Sequence, residues 1–150
     1  MSIKISLKIK TDFDSEALEQ NLALPLVRFK AKVKFWKGFS WTKSVEGIVD
    51  TGSPISLIPK FIWEEILYES LSSHNFGISG ISPPDTSPVL ANLVRVSCIL
   101  FDKVNTSPSL DIRCYLVETN NIPLVIGILD ILTEARIICD YKNNSAYLEF

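Results

Sequence analysis

The chain has 150 residues, 47% of them hydrophobic, and a formal net charge of −2 at pH 7. That length suits one domain with a real core, and the near-neutral balance excludes a strongly basic or acidic specialisation. No apolar run approaches the roughly 18 residues of a membrane span, and the alternating start is unlike a signal peptide, so a cytoplasmic location is expected.

The elements read mostly as strands. Ile3, Ile5, Leu7 and Ile9 alternate with polar residues and predict one strand. Residues 15–22 predict a short helix capped by Asp14. Val27, Phe29, Ala31, Val33 and Phe35 form a period-two strand, with Arg28, Lys30, Lys32 and Lys34 on its other face. Such a row is most often a solvated face that discourages edge pairing, so nucleic acid is not expected as a partner. A strand over 45–49 follows, then a turn and a second apolar run. Pro59 suits the first turn of a helix over 60–67, with apolar positions 62, 63, 66 and 67 on one face. Residues 82–88 are loop-like. Strands are expected over 93–101, 112–117, 123–126, 136–140 and 146–150, with Asn143-Asn144 turning into the last. Many short strands and few helices predict a mostly-β, barrel-like domain with one or two short helices. Cys98, Cys114 and Cys139 lie in apolar strand-like runs and read as buried free thiols, a disulfide between two of them being the alternative.

The segment Gly47-Ile48-Val49-Asp50-Thr51-Gly52-Ser53-Pro54-Ile55-Ser56-Leu57-Ile58-Pro59 carries the chemistry. Asp50 ends an apolar strand and precedes a sharp turn. Gly52 offers conformations closed to other residues, and Thr51 and Ser53 supply hydroxyls. An acid so flanked reads as a buried carboxylate suited to acid–base work on a water.

Ile48-Val49-Asp50-Thr51-Gly52-Ser53 resembles the first signature of the retropepsin-like (single-lobe, retroviral-type) aspartic protease family. Pro123-Leu124-Val125-Ile126-Gly127 and the following Asp130 resemble its second signature. The family places its Asp two residues after that glycine, whereas Asp130 is three after Gly127. Phe76-Gly77-Ile78-Ser79-Gly80-Ile81 falls where the family carries its flap hairpin. The resemblance covers residues 26–150 and leaves 1–25 as an N-terminal extension of a strand and a possible short helix. It implies a closed, barrel-like acid-protease lobe. Asp50 is then catalytic, and Thr51, Gly52 and Ser53 support it: Thr51 across a dimer axis, Ser53 by orienting the carboxylate. Val125, Ile126 and Gly127 pack beneath the loop. Phe76, Gly77, Ile78, Ser79, Gly80 and Ile81 contact substrate.

Aspartic proteolysis needs two carboxylates flanking one water, the pair sharing a proton. No second Asp-Thr-Gly or Asp-Ser-Gly occurs. The expected partner is therefore Asp50 of a second copy, in a homodimer acting on an extended polypeptide. The terminal strands are candidates for the dimer interface. A non-catalytic dimerisation or peptide-binding module of the same fold is the alternative. His74 is the one histidine and lacks a nucleophile elbow or metal-ligand spacing around it, and no phosphate loop is present. Neither metal nor cofactor is expected.

Overall fold

The computed structural model describes residues 1–78 and 88–150. In chain order they form β1 (Lys4–Ser6), β2 (Lys8–Phe13), α1 (Ser15–Glu19), β3 (Pro25–Phe35), β4 (Val45–Val49), β5 (Ser56–Ile58) and α2 (Lys60–Trp63). There follow β6 (Glu69–Ser70), β7 (Phe76–Ile78), β8 (Val89–Phe101), β9 (Leu110–Val117) and β10 (Leu124–Ile126). A 3-10 turn (Leu132–Glu134), β11 (Arg136–Asp140) and β12 (Ser145–Glu149) complete the chain. The protein is mostly β, with two short α-helices.

Among the described residues the strands make two sheets. The larger runs β2-β3-β4-β10-β5-β9-β8-β6, with β7 on β8 and an added β3–β8 pairing. That pairing joins Lys32 to Phe101 and Phe35 to Cys98, closing a hydrogen-bonded ring through β3, β4, β10, β5, β9 and β8. β3 reaches 11 residues because it serves β2, β4 and β8 in turn. Its alternation puts Ala31, Val33 and Phe35 in the core. The smaller sheet runs β1-β12-β11. Both edges of β12 are thereby hydrogen-bonded within the chain, leaving β1 and β11 as its outer strands.

The N-terminal segment forms two strands rather than one. The chain changes sheets at buried Leu7, whose N–H donates to Ala146 O at 2.9 Å. β1 pairs with β12 and β2 with β3, so Ile5 and Leu7 belong to the main core cluster. α1 is capped by Asp14, whose Oδ1 accepts from Ala17 N at 2.8 Å, but it ends at Glu19 with no buried residue. α2 stops at Trp63, short of the expected Leu67. The Leu67 N–H goes to Trp36 O at 3.0 Å instead of continuing the helical ladder, and Leu67 is exposed while Ile62 and Ile66 are buried. Trp63 anchors α2 by donating Nε1–H to Val117 O at 2.9 Å. The last hairpin turns through Asn144 at φ 54, with Asp140 Oδ1 accepting from Asn143 N. All three thiols are free, Cys98 and Cys114 being buried and Cys139 half-buried. Among the described residues no helix is long and apolar enough to cross a membrane.

Candidate active site

Asp50 follows the last residue of β4. β10 lies between β4 and β5, parallel to β4 (Val125 opposite Ile48) and antiparallel to β5 (Val125 opposite Leu57). The two strands flanking the Asp50 loop are thus held apart by the second apolar motif. The Asp50 N–H donates to Ile126 O at 3.0 Å, which fixes the start of the loop on β10. Asp50 Oδ1 accepts the Gly52 N–H at 2.8 Å, and Asp50 O accepts the Ser53 N–H at 3.2 Å.

Gly127 closes the loop from below. A Cβ there would stand 2.6 Å from Ile55 C and 2.8 Å from Ser53 O. Only a residue without a side chain lets the two segments touch. The Gly127 N–H donates to buried Ser56 Oγ at 2.9 Å. Ile128 N donates to Ser53 O at 2.9 Å and Leu129 N to Pro54 O at 3.0 Å. The Asp50 loop is therefore fastened to β10 and the turn beyond it by backbone bonds on both sides.

Three expectations are corrected. Asp50 is exposed in the single chain, because it lies one residue past β4, whose Val49 is the last to enter the core. Gly52 does not use a left-handed conformation; its missing Cβ instead matters through close approach, since one would lie 3.1 Å from Asp50 Oδ1. Ser53 does not bond the carboxylate, because its Oγ donates to Ile55 O at 2.8 Å and so braces the loop itself. Thr51 is exposed beside Asp50.

A cleft of about 390 Å³ opens at Asp50. It is lined by Asp50, Gly52, Ser53, Pro54 and Ile55 of the loop, by Leu57, Val125 and Tyr115, and by Ile78 of β7. β7 pairs antiparallel with β8, Phe76 opposite Ala91 and Ile78 opposite Val89. Phe76 also packs on Tyr115, ring centroids 5.7 Å apart. The structure thus brings Ile78 to the acid's cleft, while Ser79, Gly80 and Ile81 lie outside the described residues. Asp50 is the acid among the described lining residues, and the rest of the surface it faces is largely apolar.

No protein-family model matches this chain, and no curated protein matches its sequence.

Asp130 has a separate, structural use. It stands at φ 63, in a turn that runs into the 3-10 turn Leu132–Glu134. Its Oδ2 accepts from Arg113 Nε at 2.8 Å and Arg113 N at 2.9 Å, and its Oδ1 from Arg113 Nη2 at 2.9 Å. The Arg113 hydrogen bonds hold the Asp130 carboxyl below its ordinary range. This clasp ties the segment after Gly127 to β9. The extra residue between Gly127 and Asp130 fits that use.

Sequence reasoning missed Ser56 and Tyr115. Ser56 reads as a loop hydroxyl between apolar residues, yet it is the buried acceptor for Gly127. Tyr115 carries one weak signal, the single aromatic ring in β9. His74 is exposed, and its carbonyl accepts from Ser72 Oγ at 3.0 Å. Among the described residues no group of three His, Cys, Asp or Glu is placed to hold a metal ion.

Proposed function

We propose that the chain is a retropepsin-like aspartic protease lobe that hydrolyses peptide bonds as a homodimer. In this reading the six-strand ring is the closed barrel of the lobe, residues 26–150 form it, and residues 1–25 are an extension packed into its core. The observation that carries the proposal is the placement of Asp50. An exposed acid, with one oxygen held by the Gly52 N–H, sits at the mouth of an apolar cleft under β7.

One chain supplies one carboxylate, and the chemistry needs two. The second is Asp50 of another copy, related by a two-fold axis. Dimer formation removes both acids from bulk water. Two such close carboxylates cannot both ionise easily, so they share a proton. The ionised member takes a proton from water as its oxygen attacks the peptide carbonyl. The protonated member donates to the developing oxyanion. Thr51, exposed beside Asp50, bonds across the axis. The substrate lies extended between the Asp50 loops and β7, with apolar side chains against Ile55, Leu57, Ile78 and Val125. β12 has no open edge on which a second copy could add a strand, because both of its edges are already paired.

The test is digestion of a proteome-derived peptide library at pH 4–7 by the wild type and by Asp50→Asn. Cleavage by the wild type alone is expected, with sedimentation showing a dimer stabilised by a transition-state peptide mimic. Equal cleavage by both proteins sinks the mechanism. A dimer that binds peptides without cleaving them supports the alternative, a non-catalytic binding module.

A further inference from the structure

A second cleft, of about 640 Å³, lies away from Asp50. It forms where β3 passes from one edge partner to the next. β2 ends its pairing with Lys8 opposite Lys30, and β8 takes over with Phe101 opposite Lys32. The gap between these two partners is the cleft. Lys8, Lys30, Lys32 and Lys103 line it, together with Glu46 and Asp102.

The charge there is poorly balanced. Lys8 and Lys30 are direct cross-strand neighbours, an arrangement that opposes folding. Both lean on Glu46, at 3.9 and 4.0 Å, the far limit of an ion pair. Lys30 does so with a side chain only 20% exposed. Lys32 and Lys103 make no ion pair among the described residues. The Asp102 carboxylate is occupied by the backbone N–H groups of Ser6, Val104 and Asn105, each at 2.7 Å. Further along the same strands, Lys10 and Arg28 share Asp12 at 3.7 and 3.4 Å. The surplus therefore ends on the β2 side at Lys10 and Arg28, while Lys34 extends it by one position on the other side. Phe101 and Val104 add apolar surface to it, and Lys34 Nζ sits 4.8 Å from the Phe101 ring centroid.

The geometry points to a binding site for a small, multiply charged phosphate ligand of nucleotide size. The size is right for such a molecule, since small-ligand pockets run roughly 300–1,000 Å³. A partly buried ammonium, opposed by another ammonium and served by a distant, shared carboxylate, is stabilised when an anion with several oxygens enters between them. Phe101 offers a face to a ring carried by the same ligand. A nucleic-acid strand is less well suited, because on the β2 side the cations beyond the cleft, Lys10 and Arg28, are already paired. The site is independent of the peptidase reading.

The full-length chain is titrated by calorimetry with inorganic triphosphate, ATP and a single-stranded 12-mer oligonucleotide, without added metal. Saturable triphosphate binding is expected, weakening as salt rises. Lys30→Gln and Lys32→Gln should each weaken it about tenfold, the loss of one charge-assisted bond. Glu46→Gln should tighten it, and Lys60→Gln, in α2, should leave it unchanged. Tighter binding of ATP than of triphosphate assigns the Phe101 face to the base. As a second readout, Lys8→Gln should raise the thermal midpoint without ligand and lower the ligand-induced rise. Absence of saturable triphosphate binding overturns the proposal. So does equal weakening by Lys60→Gln, or binding by the oligonucleotide alone.

Discussion

Replacing Gly127 by alanine tests whether the close approach of β10 to the Asp50 loop holds the site together. The new methyl would lie 2.6 Å from Ile55 C, 2.8 Å from Ile55 O and 2.8 Å from Ser53 O. All three are backbone atoms, so no side-chain rotation relieves the overlap. Gly127 does not occupy the left-handed region, so space and not dihedral strain decides the outcome. Overpacking of a filled core costs about 1–3 kcal/mol, and the rigid neighbours place this case at the upper end. Moving the loop away also stretches Ile128 N–Ser53 O and Leu129 N–Pro54 O, each worth about 0.5–1.5 kcal/mol. Alanine returns about 0.4–1 kcal/mol by restricting the unfolded chain. The net expectation is a loss of roughly 2–4 kcal/mol, or a midpoint lowered by roughly 4–16 °C for a chain of this size. Urea unfolding followed by tryptophan fluorescence measures it. Gly77→Ala is the control, since among the described residues its Cβ would meet only the Pro88 side chain, at 3.3 Å. A Gly127→Ala loss below about 1 kcal/mol, no larger than the Gly77→Ala loss, would refute the packing argument.

Ser56→Ala leaves the Gly127 N–H buried without its acceptor and should cost about 1–3 kcal/mol in the same urea assay. The Asp130–Arg113 clasp has a defined pH signature. The folded carboxyl is depressed, so its contribution is complete above the unfolded value of about 3.9 and is lost as pH falls through the lower folded value. Asp130→Asn should therefore lower stability at pH 7 and flatten the decline below pH 4 in thermal scans; an unchanged acid limb would exclude the clasp as its source. Burial, then the nearby Asp111 charge, pushes the Cys98 thiol up to about 12, and burial raises Cys114 as well. Under native conditions at pH 8, iodoacetamide followed by mass spectrometry should modify Cys139 first, with Cys98 and Cys114 protected until the chain is unfolded.

The strands were legible wherever one face met the core and the other met water. Residues 27–35 alternate cleanly and fall within β3, and residues 45–49 coincide with β4. The strand break at Leu7 was not legible, because a chain that changes sheets keeps the same alternation on both sides. The helix expected over 60–67 has the right apolar face, but its last turn is lost to a long-range bond from Leu67 to Trp36. At the site, the Asp50 motif and the element around Gly127 were visible in the sequence, and their adjacency comes from β10 pairing with both β4 and β5. The exposure of Asp50 was not visible, since apolar flanks report the strands and not the turn between them. Ser56 reaches the site through Gly127, 71 residues away, and Tyr115 packs on Phe76 from another strand; local pattern carries no record of such contacts.

The pairing of β1 with β12 has a consequence for synthesis. Lys4 stands opposite Glu149 and Ser6 opposite Tyr147, so the first strand has no strand partner in its sheet until residues 145–149 have been made. At about 5–20 residues per second, translation leaves Ile3, Ile5 and Leu7 waiting roughly 7–30 s for residues 145–149. During that interval an apolar alternating strand with open hydrogen-bonding edges is available to neighbouring nascent chains. Shielding this segment until β12 has been made is a task for a chaperone, and the yield of folded protein should fall when translation slows.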